Sequence, residues 1–260
     1  MRVATWNING MKARLAFVEQ WLQERKPDLV GLQELKMVDD QFPHLAMEAM
    51  GYKALTHGQK SWNGVAILAR QEVETVTSGL PGQEDFGARF LHARTPDLDF
   101  ITVYCPNGKT LEHEDFPRKL AWFDRLAEHL EETLDPARPA ILGGDFNICP
   151  EPIDSWDETA HSGNIFHTDE ERRRLGRLLS GGWTDVYRHL HPDTQAFSWW
   201  DYRGGSFHRK HGLRIDFLLA TAPALDRVSS VEIDREYRKK KDGQTPSDHA
   251  PVFADLDPAP

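Results

Sequence analysis

The sequence has few cysteines and no long apolar run. Its 260 residues include only Cys105 and Cys149, and both lie in apolar stretches where a buried free thiol is the more common role. No segment approaches the roughly 20 apolar residues of a membrane span, and polar residues interrupt the amino terminus too early for a targeting peptide. We therefore expect a cytoplasmic protein with reduced thiols and no membrane partner.

Basic residues are scarce relative to acidic ones. The chain has 31 Lys and Arg against 41 Asp and Glu, which gives a formal net charge of −10. This balance argues against a protein that coats nucleic acid through general phosphate attraction. Two local basic segments remain, residues 201–214 and residues 235–241. Basic segments on an acidic body are typical of a protein that contacts DNA with one face.

Short β-rich runs alternate with amphipathic helical patterns, and no low-complexity linker divides the chain. The patterns predict helices over residues 14–25, 42–50, 117–134 and 170–179. They predict strands over residues 3–8, 29–32, 52–55, 64–69, 90–93, 99–103, 140–143, 214–219 and 251–254. This order predicts a single domain over residues 1–260 with an α/β fold. We expect a four-layer α/β sandwich, in which two mixed β-sheets pack face to face with helices outside.

Polar side chains follow five of the strand-like runs, where loops on a rigid sheet often present catalytic groups. Each group taken alone has an ordinary structural explanation, such as an asparagine turn or a surface carboxylate. Together they offer acids, amides and an imidazole but no cysteine, a set that favours Mg²⁺ or Mn²⁺ over structural zinc. The groups are Asn7 and Asn9 in TWNING, Glu34 in LQE, Asp145 and Asn147 in GGDFN, Asp216 in GLRID, and Asp248 and His249 in SDHAP.

The expected chemistry of these residues follows from their surroundings. Glu34 and Asp216 adjoin apolar residues, and a carboxylate in such a place needs a cation or hydrogen-bond donors. If the chain stays extended, Asp145 and Asn147 point the same way, an arrangement that suits the activation of a water molecule. His249 can orient on Asp216 and donate its other N–H to a phosphate oxygen.

The ordered series WNING, LQE, YCPNG, GGDFN, GLRID and SDHAP resembles the signature of the exonuclease III and apurinic/apyrimidinic (AP) endonuclease family. That family has the DNase I-like endonuclease/exonuclease/phosphatase fold. Each motif is weak alone, but six in the same order span nearly the whole chain. The resemblance implies Mg²⁺-dependent cleavage of DNA phosphodiesters, with Mn²⁺ as an alternative metal. The implied activities are 3′–5′ exonuclease, 3′-phosphatase or phosphodiesterase, and class II AP endonuclease, all leaving 3′-OH ends.

The resemblance also assigns the metal-binding and water-positioning roles. It implies that Glu34 binds the metal with help from Asn7 and Asp248. It implies that Asp145 activates the attacking water and that Asn147 helps to position it. The pair Asp145 and Asn147 is also a candidate second metal position. The implied substrate is double-stranded DNA with abasic sites, nicks or 3′ ends, bound by a monomer.

The remaining implied roles concern the phosphate. Tyr104 assists at the phosphate or the leaving oxygen, although without the resemblance a packed strand aromatic is the better interpretation. His249, held by Asp216, steadies the charge on the phosphoryl oxygens. An alternative function on this fold is a phosphodiesterase for inositol or lipid phosphates. A non-catalytic DNA-binding protein is a second alternative, but the full set of catalytic residue types argues against it.

The segment 197–213 is similar to the family's abasic-site loop. In that loop the positions of Trp199, Leu213 and Ile215 line a small pocket that accepts a flipped-out sugar and excludes a whole base. The neighbouring Trp200 fits the apolar core better. The triplet 239–241 is either a phosphate contact or an ordinary mobile loop. Candidate DNA contacts near the pocket are Asn107, Lys109 and Arg203.

One departure from the family's pattern falls beside this pocket. Phe166 and His167 precede the run TDEER, where many relatives have a smaller residue. If either side chain projects into the pocket, cleavage at abasic sites should be weak relative to 3′-exonuclease or 3′-phosphatase activity. The sequence leaves the balance of the three activities open, because it does not show where these two side chains lie.

Overall fold

The computed structural model of the chain describes residues 1–259. These residues form twelve strands, which are β1 Arg2–Asn7, β2 Leu29–Gln33, β3 Lys53–His57, β4 Val65–Ala69, β5 Glu74–Ser78, β6 Phe90–Arg94, β7 Asp99–Tyr104, β8 Ala140–Asp145, β9 Trp183–Asp185, β10 Asp216–Thr221, β11 Val228–Ile233 and β12 Val252–Leu256. They also form eight α-helices, which are α1 Met11–Arg25, α2 His44–Ala49, α3 Asp115–Thr133, α4 Glu158–His161, α5 Asp169–Ser180, α6 Val186–Leu190, α7 Ser206–Arg209 and α8 Ala222–Leu225. Five short 3-10 turns cover Asp39–Gln41, Glu84–Phe86, Pro152–Asp154, Arg203–Gly205 and Arg235–Arg238.

The strands form two six-stranded sheets. The first sheet has the order β11-β12-β1-β2-β4-β3, and the second has the order β5-β6-β7-β8-β10-β9. Both sheets are mixed, because β1 pairs with β2 and β7 pairs with β8 in parallel while β12 and β10 run antiparallel to their neighbours. The first strand of the chain pairs with the last one. None of the helices in residues 1–259 has the length and apolar character needed to cross a membrane.

Three apolar layers hold the sheets and helices together, and they confirm the predicted four-layer sandwich. The layer between the sheets is built from buried residues of both, including Val3, Leu29, Phe100, Ile141 and Leu218. Helix α1 covers the outer face of the first sheet with a periodic apolar face of Phe17, Val18, Trp21 and Leu22. Helices α3 and α5 cover the outer face of the second sheet through Trp122, Phe123, Leu126, Leu175 and Leu178.

The two sheets approach each other closely beneath the strand ends. A Cβ at Gly31 would lie 2.4 Å from Oγ1 of Thr102 in the opposite sheet, so only glycine fits there. The side-chain nitrogen of Gln33 donates to Thr5 Oγ1 at 2.9 Å and to Thr102 Oγ1 at 2.8 Å, which joins the sheets. These buried contacts fix the carboxyl ends of β1 and β2 relative to the second sheet.

The sequence patterns do not predict strands β5, β9 and β11. All three lie at the edges of the sheets, where one side of each strand has no neighbour. Strand β5 is largely exposed, and β11 has only one fully buried residue. An exposed edge strand lacks the apolar run by which a buried strand is recognised. The nine predicted strands are confirmed with ends that shift by one or two residues.

The four predicted helices are confirmed with shifted ends. Helix α1 begins at Met11 instead of residue 14, because Gly10 has a φ of 105° that turns the chain directly into the helix. Strand β10 begins at Asp216 instead of residue 214. The backbone N–H of Arg214 donates to the carbonyl of Asp154 at 2.9 Å, which takes this residue out of the sheet ladder.

A fully buried ion pair joins α3 to α5 beneath the strand ends. Lys119 Nζ lies 2.5 Å from Glu171 Oε1, and both side chains are 0% exposed. The ammonium also donates to the carbonyls of Asn147 at 2.7 Å and Asn107 at 3.1 Å. The carboxylate accepts from the backbone N–H of Phe166 at 3.1 Å. The pair therefore fixes three loops that reach the same edge of the sandwich.

Replacement of Lys119 by Met should lower the free energy of unfolding by about 3–5 kcal/mol, because Glu171 would keep a buried charge without its cation. Urea unfolding followed by circular dichroism measures this change. The double variant Lys119→Met/Glu171→Gln should recover much of the loss. In the exposed pair formed by Arg173 and Glu170, Arg173→Met should cost less than about 1 kcal/mol. If Lys119→Met lowered the free energy of unfolding as little as Arg173→Met does, the buried ion pair would not be a major contact in the fold.

Candidate active site

The strand pairing brings the predicted polar residues to one edge of the sandwich. In the first sheet, Asn7 ends β1 beside the end of β2, and Glu34 follows β2 directly. In the second sheet, Tyr104 and Asp145 end the parallel strands β7 and β8 at the same level. Asp216 begins β10 opposite Asp145 in the antiparallel pair. The carboxyl ends of four strands and the start of a fifth thus surround a common point.

The side-chain amide of Asn7 bridges the two sheets. Its nitrogen donates to Glu34 Oε1 at 2.9 Å and to Asp145 Oδ2 at 2.9 Å. Its oxygen accepts the backbone N–H of Asn9 at 3.0 Å, which is the asparagine turn expected for this motif. The side chain of Asn7 therefore both closes a turn and links two carboxylates of the site.

His249 and Asp216 form a buried pair, as the sequence predicts. The His249 Nδ1 atom lies 2.9 Å from Asp216 Oδ2, and that oxygen also accepts the hydroxyl of Ser198 at 2.6 Å. The other ring nitrogen lies 3.8 Å from Asp145 Oδ2. Burial alone would lower the pKa of His249, but the carboxylates of Asp216 and Asp145 outweigh it and raise the pKa to about 10. The ring is thus a cation between two acids.

Asp145 is held on both oxygens. Besides the contact with Asn7, its Oδ1 accepts the backbone N–H of Asn147 at 3.0 Å. Burial raises the pKa of Asp145 to about 7, and the Asp216 charge adds to the rise, while His249 opposes it. A carboxylate with this pKa can accept a proton near neutral pH.

The expected extended geometry of Asp145 and Asn147 is wrong. Asn147 has a φ of 50°, so the chain turns instead of continuing the strand. Its side-chain nitrogen donates to the carbonyl of Cys105 at 3.0 Å, and its oxygen accepts from Asn107 at 3.3 Å. The turn forms because Asp145 captures the Asn147 backbone N–H. Asn147 remains at the site edge, where Asn107 holds its amide.

A lysine ammonium lies against Glu34. Lys36 Nζ is 2.8 Å from Glu34 Oε2 and 2.5 Å from Asn9 Oδ1. Burial alone would raise the pKa of Glu34, but the Lys36 charge and the Asn7 amide lower it. Both Glu34 and Lys36 have positive φ values, 57° and 55°, which turn the two side chains toward each other. The position beside Glu34 therefore accommodates a cation.

Asp248 lies next to this position. Its Oδ1 accepts from Asn9 at 2.9 Å, and its Oδ2 accepts the Trp199 indole N–H at 3.0 Å. Burial opposes ionisation, but His249 and these two donors lower the pKa of Asp248. Glu34, Asp145, Asp216 and Asp248 thus bring four carboxylates, with only oxygen ligand atoms, to one edge of the sandwich. Such a donor set fits a hard divalent ion.

Two positions for a metal ion follow from the distances. One is beside Glu34, where the Lys36 ammonium lies. The other is between Asp145, Asp216 and His249, whose ligand atoms lie within 4.8 Å of one another. The imidazole of His249 occupies this second position as a cation hydrogen-bonded to Asp216. The first position therefore suits a metal ion better.

The ring of Tyr104 packs against a partly buried arginine, Arg89. The Arg89 guanidinium lies 4.7 Å from the centre of the Tyr104 ring, and its Nη1 donates to the Tyr104 carbonyl at 3.1 Å. Burial and the nearby carboxylates of Glu34 and Asp145 raise the pKa of the Tyr104 hydroxyl. The hydroxyl therefore keeps its proton at neutral pH and can donate it as a hydrogen bond.

The predicted sugar-pocket residues form one apolar cluster. Leu213 and Ile215 are buried and pack with Cys149, while Trp199 and Phe166 are partly buried against them. Phe166 has a φ of 72°, a conformation that is rare for a large side chain and marks a constrained position. Both cysteines are free and buried, as predicted. Trp200 is 1% exposed and belongs to the core, as expected.

The predicted DNA contacts have different surroundings. Asn107 reaches the site through its bond to Asn147. Lys109 is 59% exposed and pairs with Asp115 at 2.8 Å. Arg203 is 90% exposed and pairs with Asp201 at 2.7 Å.

Two members of the basic segments are not available to DNA. Arg214 is 1% exposed and pairs with Asp154 at 2.6 Å and Asp185 at 2.7 Å. Arg238 is mostly buried and donates to the backbone carbonyls of Asp248 and Trp200, both at 3.1 Å. The two segments therefore offer fewer free guanidinium groups than their sequences indicate, because internal acceptors already bind those of Arg214 and Arg238.

The sequence analysis missed three residues of the site. Lys36 has a detectable signal, since it lies two residues after Glu34 and carries the opposite charge. Ser198 has none, because a hydroxyl beside two tryptophans resembles ordinary core. Lys119 resembles a solvated residue of a long amphipathic helix, and its partner Glu171 lies in another helix.

Comparison with known proteins identifies the family. The model of the Endonuclease/Exonuclease/phosphatase family matches residues 4–249. The chain is 35% identical over 269 positions to exodeoxyribonuclease III of Haemophilus influenzae, covering 98% of this chain and 100% of that protein. It is 30% identical over 259 positions to an exodeoxyribonuclease of Bacillus subtilis, covering 97% of this chain and 98% of that protein.

Two solved structures are similar over 99% of both chains. One is the 3′ phosphatase NExo from Neisseria bound to a product DNA hairpin, with a TM-score of 0.94 and 37% identity. The other is an AP endonuclease from Archaeoglobus fulgidus, with a TM-score of 0.94 and 34% identity. The chain therefore belongs to the endonuclease/exonuclease/phosphatase family, in its exodeoxyribonuclease III and AP endonuclease branch, and is a phosphodiester hydrolase.

Proposed function

We propose that the chain is a Mg²⁺-dependent DNA-repair hydrolase that acts mainly on the 3′ ends of duplex DNA. The observation that carries this proposal is the amide of Asn7, which holds Glu34 and Asp145 together at one edge of the sandwich. A separate cation, His249 on Asp216, completes the arrangement on the other side of Asp145. Metal binding and proton acceptance are thereby assigned to different carboxylates within one buried network.

Metal binding is proposed for one group of residues in the site. Glu34 and Asp248 would hold the metal ion, with Asn7 and Asn9 orienting them. A bound divalent ion would offset the negative charge that develops on the phosphoryl oxygens. The Lys36 ammonium, which lies at that position, would move to the substrate phosphate or to solvent.

Asp145 accepts the proton of the attacking water in this proposal. Its pKa of about 7 and its two fixed oxygens suit that role. Asn147 orients the same water. The alternative role of the pair is a second metal position, in which Asp145 would bind an ion instead of accepting the proton. His249 donates its Nε2–H to a phosphoryl oxygen, because Asp216 keeps the ring charged and oriented. Tyr104 donates its hydroxyl hydrogen bond to the phosphate or the leaving oxygen.

Preference for 3′ ends is proposed from Phe166 and His167. Phe166 packs against the cluster of Cys149, Leu213 and Ile215, and the last two are proposed to line the sugar pocket. Its backbone is fixed on both sides by the Glu171 carboxylate and by the N–H of Cys149. A pocket already filled by a constrained phenylalanine accepts a flipped-out sugar poorly.

The substrate, the domain organisation, the DNA contacts, the location and the oligomeric state are proposed as well. The DNA substrate is supported by the relatives, one of which was solved with a product DNA hairpin. Pairing of the first strand with the last one supports a single domain over residues 1–260. Asn107, Lys109 and Arg203 stay proposed DNA contacts, of which Asn107 is closest to the catalytic network. The cytoplasmic location and the monomeric state stay predictions.

The wild-type chain should remove a 3′ phosphate from nicked duplex DNA with Mg²⁺, and EDTA should abolish the reaction. Asp145→Asn should lower the rate by about 10²–10⁴-fold, because the amide cannot accept the proton of water. A gel assay with a labelled nicked duplex measures both effects. Asp226, an exposed carboxylate at the end of α8, supplies the matched control, since Asp226→Asn should leave the rate unchanged.

Each variant should melt within a few degrees of the wild type, which separates lost chemistry from lost fold. Metal-independent cleavage, or an Asp145→Asn variant as fast as Asp226→Asn, would contradict the proposal. Hydrolysis of a soluble inositol phosphate but not of DNA would favour the alternative substrate class on the same fold.

Opening the pocket should shift the substrate preference. Phe166→Gly removes the ring and suits the φ of 72°, so we expect internal abasic-site cleavage to rise about tenfold or more relative to 3′-phosphate release. The ratio of the two rates, measured on one preparation, is the readout. His167→Ala should shift the ratio in the same direction. Wild-type cleavage of an internal abasic site as fast as 3′-phosphate release would refute this restriction.

A further inference from the structure

A second cluster of metal-ligating side chains lies apart from the catalytic carboxylates. Ligand atoms of Cys149, Glu158 and His167 lie within 4.8 Å of one another. Cys149 follows β8, Glu158 begins α4, and His167 lies two residues before α5. Cys149 and His167 are buried, whereas Glu158 is partly exposed. Three separate segments thus bring a thiol, a carboxylate and an imidazole to one point.

We propose that Cys149, Glu158 and His167 bind one Zn²⁺ ion or another divalent ion that prefers thiolate and imidazole ligands. Zinc takes these three ligand types, and three protein ligands leave a fourth position for water. Mg²⁺ prefers sites composed only of oxygen atoms, so it would not compete strongly here. The chain would then hold two chemically distinct metal sites.

The surroundings of His167 favour a ligating imidazole. Nδ1 lies 3.2 Å from the carbonyl of Ile165, and Nε2 lies 3.2 Å from the hydroxyl of Ser155. A carbonyl only accepts hydrogen bonds, so Nδ1 carries the proton and Nε2 accepts the Ser155 hydroxyl, a hydrogen bond that a metal ion would replace. Burial lowers the pKa of His167, which keeps the ring neutral. A neutral ring whose second nitrogen is held by a carbonyl is the usual form of a metal-ligating histidine.

Cys149 would bind as a thiolate. Without a metal its sulfur lies 3.6 Å from the carbonyl of Glu151, an arrangement in which the thiol donates. Burial and the charge of Asp154 raise the pKa of Cys149 to about 12, so the thiol is protonated at neutral pH. Formation of the sulfur–metal bond would release this proton to solvent.

Arg172 holds Glu158 and the backbone of Cys149 in place. Its Nη2 lies 2.8 Å and 2.9 Å from the two oxygens of Glu158, and its Nε donates to the Cys149 carbonyl at 3.1 Å. A carboxylate offers about four lone-pair positions, so two remain for a metal ion. A bound divalent ion would itself offset the charges of the thiolate and the carboxylate, and the guanidinium would keep Glu158 oriented.

An ion at this position would also affect the neighbouring pocket. Cys149 packs in the apolar cluster with Phe166, and His167 is the next residue of the chain. A metal bond to both Cys149 and His167 would fix Phe166 where it lies. This consequence rests on the proposed role of the pocket, whereas the binding proposal does not.

Cobalt titration of the EDTA-treated full chain tests the site directly. Co²⁺ reports thiolate ligation through an intense charge-transfer absorption, and excess Mg²⁺ would keep the all-oxygen site occupied. The wild type should take up one equivalent of Co²⁺ with this absorption, and Zn²⁺ should displace it. Cys149→Ser should remove the absorption. Cys105→Ser, at the other buried cysteine, should retain it.

His167→Ala should weaken Co²⁺ binding by about a hundredfold or more, since loss of even an outer partner costs about 10–100-fold. Glu158→Gln should weaken binding less while keeping the bond with Arg172. Thermal melts of the metal-free variants separate lost ligands from lost fold. No thiolate absorption in the wild type, or an absorption that survives Cys149→Ser, would overturn the proposal. DNA cleavage is not part of this readout, so failure here leaves the proposed function untouched.

Discussion

The amide of Asn7 is the contact on which the arrangement of the site depends. Its nitrogen donates to Glu34 from the first sheet and to Asp145 from the second, and its oxygen closes the turn at Asn9. A carboxylate removed from water without donors costs several kcal/mol. One neutral side chain supplies a donor to both acids without adding charge. The amide of Asn7 also sets the distance between Glu34, which suits metal binding, and Asp145, which suits proton transfer.

Each acid that the amide joins has its own cation. Lys36 lies against Glu34, and His249 lies between Asp145 and Asp216. The four carboxylates of the site nevertheless outnumber these two cations, and a divalent ion would offset the excess negative charge. A DNA phosphate entering this network would find positive groups at defined points instead of a general basic surface. The two basic segments of the sequence contribute less than expected, because the guanidinium groups of Arg214 and Arg238 serve internal acceptors.

Much of the fold and of the site can be predicted from the sequence because both follow from buried strands that end in polar residues. Asp145 after its apolar run is such a case. Three of the four edge strands are missed because exposure weakens their apolar pattern. The contact of Lys36 with Glu34 depends on two positive φ values, and the burial of Arg214 depends on Asp154, which is distant in the chain. The burial of Arg214 has no local signal, whereas Lys36 has one in its opposite charge two residues after Glu34.

The position of the metal ion is the most direct test of this division of roles. The measurement is anomalous diffraction from a crystal of the chain soaked with Mn²⁺ and DNA bearing a 3′ phosphate. If Glu34 binds the metal ion, we expect a Mn²⁺ peak bonded to Glu34, with the Lys36 ammonium displaced and His249 still paired with Asp216. A single peak bonded to Asp145, Asp216 and His249, with Lys36 still on Glu34, would contradict this division of roles, because metal binding and proton acceptance would then share one carboxylate.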